Sequence, residues 1–230
     1  MKKLPRILGL VVVGGLLLLA IITSTTKTTP LSEKIWDERT TFGSLDAKNY
    51  FIVYTDLMCP YCNLYAQEVY HNESEFEQYL ADNDILYEVR VTDMLYDANG
   101  IKHSQTSAEG AYCAKREGKF WEYYHAALTA LEEDYYNKGI GNSKTAPKIE
   151  DMTRAYWLNL GKEIGLSESF ETCFNNREAL EEINKNTAKA NSVAYGLPSF
   201  AFNKYETSGY DPTWDFSIIK EMYDAGLKSK

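Results

Sequence analysis

Basic charge is scarce in this chain. Twenty-four Lys and Arg stand against 33 Asp and Glu in 230 residues, a net charge of −9. Without a basic face there is nothing to displace counterions from phosphates, so a nucleic-acid binder is excluded. Pro 6 and Gly 14 are too few for a fibrous or low-complexity chain. Four cysteines cannot staple a disulfide-rich miniprotein. The three histidines, His71, His103 and His125, form no ligand pair, and the chain has a single C-x-x-C, so the usual zinc spacings are missing. His103 and His125 read as ordinary helix or surface side chains. Long apolar runs are lacking after residue 24. What is plentiful is hydrophobic (44%) and aromatic (13%) content, which excludes a disordered chain and leaves room for one or two packed domains.

The first 24 residues differ from the rest. Lys2, Lys3 and Arg6 precede Ile7–Ile22, an uncharged stretch rich in Leu, Val and Ile, and no acid occurs there. The remainder is therefore three charges more acidic than the chain as a whole. A spanning helix needs roughly 17–25 apolar residues, and Pro5–Ser24 comes close to that. No A-x-A cleavage site follows, so residues 1–24 read as an uncleaved signal anchor, with a cleaved signal peptide as the alternative. The positive flank puts the N-terminus in the cytoplasm and the bulk of the chain outside. The expected location is the cell membrane, single-pass with an extracytoplasmic C-terminal part, or secretion if the segment is cleaved. Either route leads to a disulfide-permissive compartment. Residues 25–40 follow as a polar Thr/Ser/Lys tether, with the folded part over 41–230.

Patterning within that part begins with Tyr50–Asp56, β-branched and aromatic, as a buried strand. A helix to about His71 carries Cys62, Ala66 and Val69 on one face. Ser74 and Glu77 form an S-x-x-E capping box that would open the next helix, and Ile85–Val91 is a second strand. Strand, helix, strand predicts a βαβ unit. Helical periodicity then runs through Ser107–Glu117, Trp121–Leu131, Ile149–Leu160 and Leu180–Ala194. Ser199–Lys204 and Tyr205–Gly209 form a hairpin, and Asp211–Gly226 is a final amphipathic helix. The fold class is α/β.

Cys59–Pro60–Tyr61–Cys62 sits where the first strand passes into its helix. Cysteines three apart at a helix start can close a small disulfide ring. Free N–H groups and the helix dipole favour the thiolate of the first sulfur, the attacking and leaving species in exchange. Pro60 suits a first helical turn, where its missing N–H would be unpaired anyway. Cys62, on the inward face, is the shielded resolving thiol. A redox-active pair is the principal reading, and a zinc half-site or an inert bridge is the alternative. Asp56, three before Cys59, is either a proton relay or a carboxylate closing the turn.

With these residues in view, the chain resembles the DsbA-like thiol:disulfide oxidoreductases. Phe42–Cys62 (FGSLDAKNYFIVYTDLMCPYC), Cys113–Leu128 (CAKREGKFWEYYHAAL) and Val193–Lys204 (VAYGLPSFAFNK) carry the likeness in order and spacing. The resemblance implies a thioredoxin-like fold with an inserted all-helical subdomain, about residues 102–194. It makes Cys59 the nucleophile, Cys62 the resolving cysteine, Pro198 the cis-proline of the substrate groove and Leu197 its tuning neighbour. Tyr61 stands where the strongest oxidants of the family have His, and Leu-Pro-Ser replaces the commoner Thr-Pro-Thr. C-P-Y-C is also the glutaredoxin dipeptide, and such pairs span roughly −230 to −120 mV. Cys113 and Cys173, left over in an oxidising compartment, would form a structural disulfide of a kind seen in some members, or remain two buried thiols. Leu57, Met58, Tyr61 and Leu197 suggest an apolar groove around Cys59.

No cofactor or metal is needed beyond the two sulfurs. The expected function is an exported oxidase that donates the Cys59–Cys62 disulfide to reduced or unfolded exported proteins. Reoxidation would come from a membrane quinone-linked partner of DsbB or VKOR type, and the chain would act as a monomer. A reductase or isomerase using the same cysteines is one alternative, and a non-catalytic peptide-binding module on the same fold is another.

Overall fold

The computed structural model describes residues 40–140, 152–193 and 196–229. The anchor and tether expectations fall outside these, except at Thr40. That residue is buried and its carbonyl accepts from the Val89 N–H, so it belongs to the folded part and not to a tether. Among the described residues no helix is long and apolar enough to cross a membrane.

Five strands form one sheet in the order β1-β3-β2-β4-β5. These are β1 (Thr41–Phe42), β2 (Asn49–Thr55), β3 (Ile85–Val91), β4 (Ser199–Phe202) and β5 (Tyr205–Ser208). β2 and β3 pair in parallel, joined by α1 (Pro60–His71) and α2 (Glu73–Asp82), and the remaining pairs are antiparallel. β3 alternates strictly between buried and half-buried positions, as a period-two strand with one packed face should. Ring packing joins the sheet to its covering helices. Phe51 lies 4.5 Å from Tyr223 between centroids, and Phe76 meets Tyr87 edge-on at 5.0 Å. The buried Tyr65 and Tyr223 hydroxyls pair at 2.7 Å, so neither is left without a partner.

Between β3 and β4 the chain is helical: α3 (Met94–Asn99), α4 (Lys102–Arg116), α5 (Phe120–Asp134) with a 3-10 turn at Tyr136–Lys138, α6 (Arg154–Glu163), α7 (Glu168–Asn175) and α8 (Leu180–Val193). The helical block thus begins at Met94, earlier than the expected 102. Its core holds Trp121, Tyr123, Trp157, Phe170 and Phe174. Arg154 and Arg177 both pair with the buried carboxylate of Glu109. α4 and α5 approach closely at Gly110, where an added Cβ would stand 2.0 Å from the Tyr123 hydroxyl oxygen. The last helix, α9 (Phe216–Lys228), packs on β4 and β5.

Two local expectations are corrected, and one strand is added. No Ser74–Glu77 capping box forms. α2 starts at Glu73, directly after α1, and Asn72 joins the two through its carbonyl, which accepts from the Phe76 N–H. Ser74 therefore lies inside the first turn. α9 starts at Phe216 and not at Asp211, because the Asp211 carboxylate closes a turn onto Thr213 while Asp215 caps the N–H groups of Ser217 and Ile218. The two-residue β1 has too little patterning to be read in advance; it is held by antiparallel pairing of Thr41 and Phe42 with Glu88 and Tyr87.

Candidate active site

β2 ends at Thr55, and after four intervening residues α1 begins at Pro60. In between, the Cys59 N–H donates to the Asp56 carbonyl at 2.9 Å, closing a tight turn that sets Cys59 in the N-cap position in extended conformation, with Pro60 as the first helical residue. The Asn63 N–H donates to the Cys59 carbonyl, the first intrahelical bond. Asn63 in turn donates from its side chain to the Leu128 carbonyl, tying α1 to α5.

Cys59 and Cys62 are free thiols in hydrogen-bond contact. Both are shielded, Cys59 at 5% exposure and Cys62 at 1%. Burial pushes the Cys62 thiol well up, and contact with Cys59 pushes it further. Bonds from the Asp56 N–H and the Thr55 side chain to its sulfur oppose that rise without reversing it. Cys62 is thus held as a thiol at the inner end of the pair, while Cys59 occupies the helix terminus, where free N–H groups point.

Asp56 lies fully out of solvent. One carboxylate oxygen accepts from the Met58 N–H at 2.9 Å; the other accepts from the Leu95 N–H at 3.0 Å and the Ser104 hydroxyl at 2.5 Å. Burial raises its pKa to about 6, against the lowering effect of those bonds. The carboxylate closes the turn before the cysteines and also joins that turn to α3 and α4.

The Leu197–Pro198 peptide bond is cis. Antiparallel register pairs Ser199 with Tyr54, so Pro198, which is buried, lies at the end of the sheet from which the cysteine turn emerges; Leu197 is half-buried. Cys113 and Cys173 form a disulfide (S–S 2.03 Å) between α4 and α7. The expected apolar surface is different in composition. Leu57 and Met58 are fully buried core side chains, because the turn folds them inward. A cleft of about 360 Å³ beside α1 is of mixed character, its apolar side made by Pro60, Leu64, Tyr210 and Trp214 and its polar side including Glu68 and Glu132.

Two tyrosines of the helical block interact with the cysteine turn and were not anticipated. Tyr124 hydrogen-bonds Thr55 and interacts with Cys62, and Tyr136 interacts electrostatically with Cys59, Asp56 and Cys62. Tyr124 lies in the GKFWEYY stretch, whose aromatic pattern signals core packing and nothing more. Tyr136 carries no sequence signal, because its placement depends on how α5 packs against α1.

The thioredoxin family model Thioredoxin_4 matches residues 37–213. No curated protein sequence matches the chain. Among solved structures, a thioredoxin-like oxidoreductase from Silicibacter pomeroyi DSS-3 is 20% identical with a TM-score of 0.58, over 84% of this chain and 94% of that one. BdbD from Bacillus subtilis in its oxidised form is 15% identical with a TM-score of 0.60, over the same shares. The thiol-disulfide exchange protein alpha-DsbA2 from Wolbachia pipientis is 16% identical with a TM-score of 0.56, over 81% of this chain and 86% of that one. At such identities the likeness is one of fold. The turn-held cysteine pair, the cis-proline at the adjoining strand and the match over most of its length make this chain a member of the thioredoxin family, with the architecture of the DsbA-like proteins.

Proposed function

We propose that the protein is an exported thiol:disulfide oxidoreductase working as an oxidase. Its Cys59–Cys62 disulfide passes to reduced exported proteins through a mixed disulfide. The observation that carries this reading is the asymmetry of the pair: Cys59 at the amino end of α1 and Cys62 buried behind it as a protonated thiol. A client thiolate attacks the Cys59 sulfur and the Cys59–Cys62 bond breaks toward Cys62. The client's second thiolate then attacks its own sulfur in the mixed disulfide and releases Cys59. Export rests on the basic-then-apolar segment of residues 1–24. A quinone-linked membrane partner of DsbB or VKOR type would accept the electrons, and two sulfurs suffice for the chemistry.

The test is the equilibrium of the full-length protein with glutathione, with free thiols counted by mass. An oxidase is expected near −120 mV, whereas a value near −230 mV or below would turn the reading into a reductase or isomerase. Cys59→Ala is expected to abolish exchange and Cys62→Ala to trap mixed disulfides with clients. If Cys59→Ala retained full function, the protein would be a peptide-binding module and the exchange reading would fall.

A further inference from the structure

Tyr136 lies across the cleft from Pro60, Asn63 and Leu64 of α1. Its hydroxyl oxygen is shut off from solvent and has no hydrogen-bond partner among the described residues. A buried hydroxyl in that state has lost its bonds to water with nothing in return, and native structures keep few of them without cause.

The acceptors of the cysteine turn that act on the Tyr136 phenol can be taken one at a time. Both carboxylate oxygens of Asp56 already accept from Met58, Leu95 and Ser104. The Cys62 sulfur accepts from the Asp56 N–H and is hydrogen-bonded to Thr55. The sulfur of Cys59 remains, bonded among these groups to the Cys62 thiol alone. As a neutral thiol it is a weak acceptor, but as a thiolate it is a strong one, since bonds to ionised partners are roughly twice as strong as neutral ones. We propose that Tyr136 is a third active-site residue, donated by the helical block, whose hydroxyl hydrogen-bonds the Cys59 sulfur when that sulfur becomes a thiolate. Burial, with Cys59, Asp56 and Cys62 nearby, pushes the phenol's own pKa up, so it keeps its proton and serves only as a donor.

This rests on the exchange reading and places the bond at one step of it. Of the two protons shed by a client dithiol, one ends on Cys62 and the other goes to solvent. The two electrons end on the Cys59 and Cys62 sulfurs. In the second displacement the bond between the client sulfur and Cys59 breaks, and Cys59 leaves with the electron pair. The Tyr136 bond forms there and persists in the reduced protein, stabilising that form and making the disulfide a better oxidant.

Tyr136→Phe deletes the hydroxyl and keeps the ring. In full-length protein at neutral pH, its equilibrium with glutathione is expected to shift about tenfold toward the disulfide, about 30 mV, from the loss of one bond to a charged group. Alkylation of Cys59 by iodoacetamide should slow in parallel, while the unfolding midpoint of the oxidised form stays or rises, which a structural role for the hydroxyl would not allow. Fluorotyrosine at position 136, a stronger donor in the same place, should move the equilibrium the opposite way, and it serves as the test if the Phe variant fails to fold. An equilibrium within about twofold of wild type for both replacements would overturn the proposal. Failure of the wild-type protein itself to exchange would overturn the exchange reading, and this inference with it.

Discussion

The Asp56 carboxylate meets three donors and no water. Ionising it in that place is disfavoured, so the folded protein holds its proton up to about pH 6, whereas the unfolded chain releases it near 3.8. Between those values the native state binds the extra proton, and stability from this group falls as pH rises. The integrated effect is on the order of 3 kcal/mol. His125 has the opposite sign. Half-buried and edge-on to Tyr70, it is pushed by burial from 6.5 to about 4, so its contribution is lost as pH falls through that window. The two slopes overlap and offset each other in the wild-type protein. Denaturant unfolding of wild type and Asp56→Asn from about pH 4 to 7 should separate them. The wild type is expected to lose stability relative to the variant as pH rises, with the bend complete just above 6. The same series on His125→Gln should show the wild type gaining over the variant instead. A flat difference for Asp56→Asn would mean that the carboxylate is ionised in the fold throughout.

At the scale of elements, α4 is the hub of the helical block, with contacts to α3, α5, α6, α7 and α8. Cys113 on α4 and Cys173 on α7 close a loop 60 residues long. The chain-entropy argument assigns such a crosslink about 4 kcal/mol. Replacing both by Ala is expected to lower the unfolding free energy by about that much, measured in denaturant, while leaving Cys59–Cys62 exchange with glutathione within about twofold. A large loss of exchange would show that the bridge shapes the redox site. On the same helix, Gly110→Ala would drive a methyl into the Tyr123 hydroxyl, which donates to the Trp157 carbonyl. A loss of roughly 1–3 kcal/mol is expected from such overpacking, read as a lowered unfolding midpoint.

For the molecule as a whole, the Cys59–Cys62 pair belongs to the sheet-and-helix unit, but much of its setting comes from the helical block. Ser104 and Leu95 hold Asp56, Tyr124 hydrogen-bonds Thr55 and interacts electrostatically with Cys62, and Leu128 anchors Asn63. The two parts are stitched by polar contacts as well. The Tyr112 hydroxyl, held from within the block by Asn186, donates to the Val91 carbonyl, and the Thr187 hydroxyl donates to Asp93 just after β3. The block is therefore a working wall of the site. The acidic bulk of the chain and the basic, apolar first 24 residues make a further prediction at this scale. Expressed in full in a bacterial cell, the protein is expected to sediment with membranes and resist alkaline extraction. Recovery in soluble form, shortened by the mass of that segment, would mean that it is a cleaved signal peptide.

Much of this was legible in the amino-acid order because it is local physics. Alternation over Ile85–Val91 fixes a strand on any scaffold with one buried face, and a proline after Cys59 at a strand end starts a helix wherever it occurs. Those two facts place a cysteine at a helix terminus, and the chemistry of the pair follows from that placement. Boundaries set by competition were not legible. Asp211 and Asp215 are both good caps, and the choice between them lies with the packing of α9 on the sheet. That the Asp56 carboxylate joins its turn to the helical block depends on Ser104 and Leu95, some 40 residues away. The burial of Leu57 and Met58, and the arrival of Tyr136 at the cleft beside α1, depend in the same way on contacts between distant segments. The sequence by itself determined which sulfurs stand at the start of α1; the tertiary structure decided their surroundings, because burial and long-range hydrogen bonds exist only once helices from the far half of the chain have packed against α1.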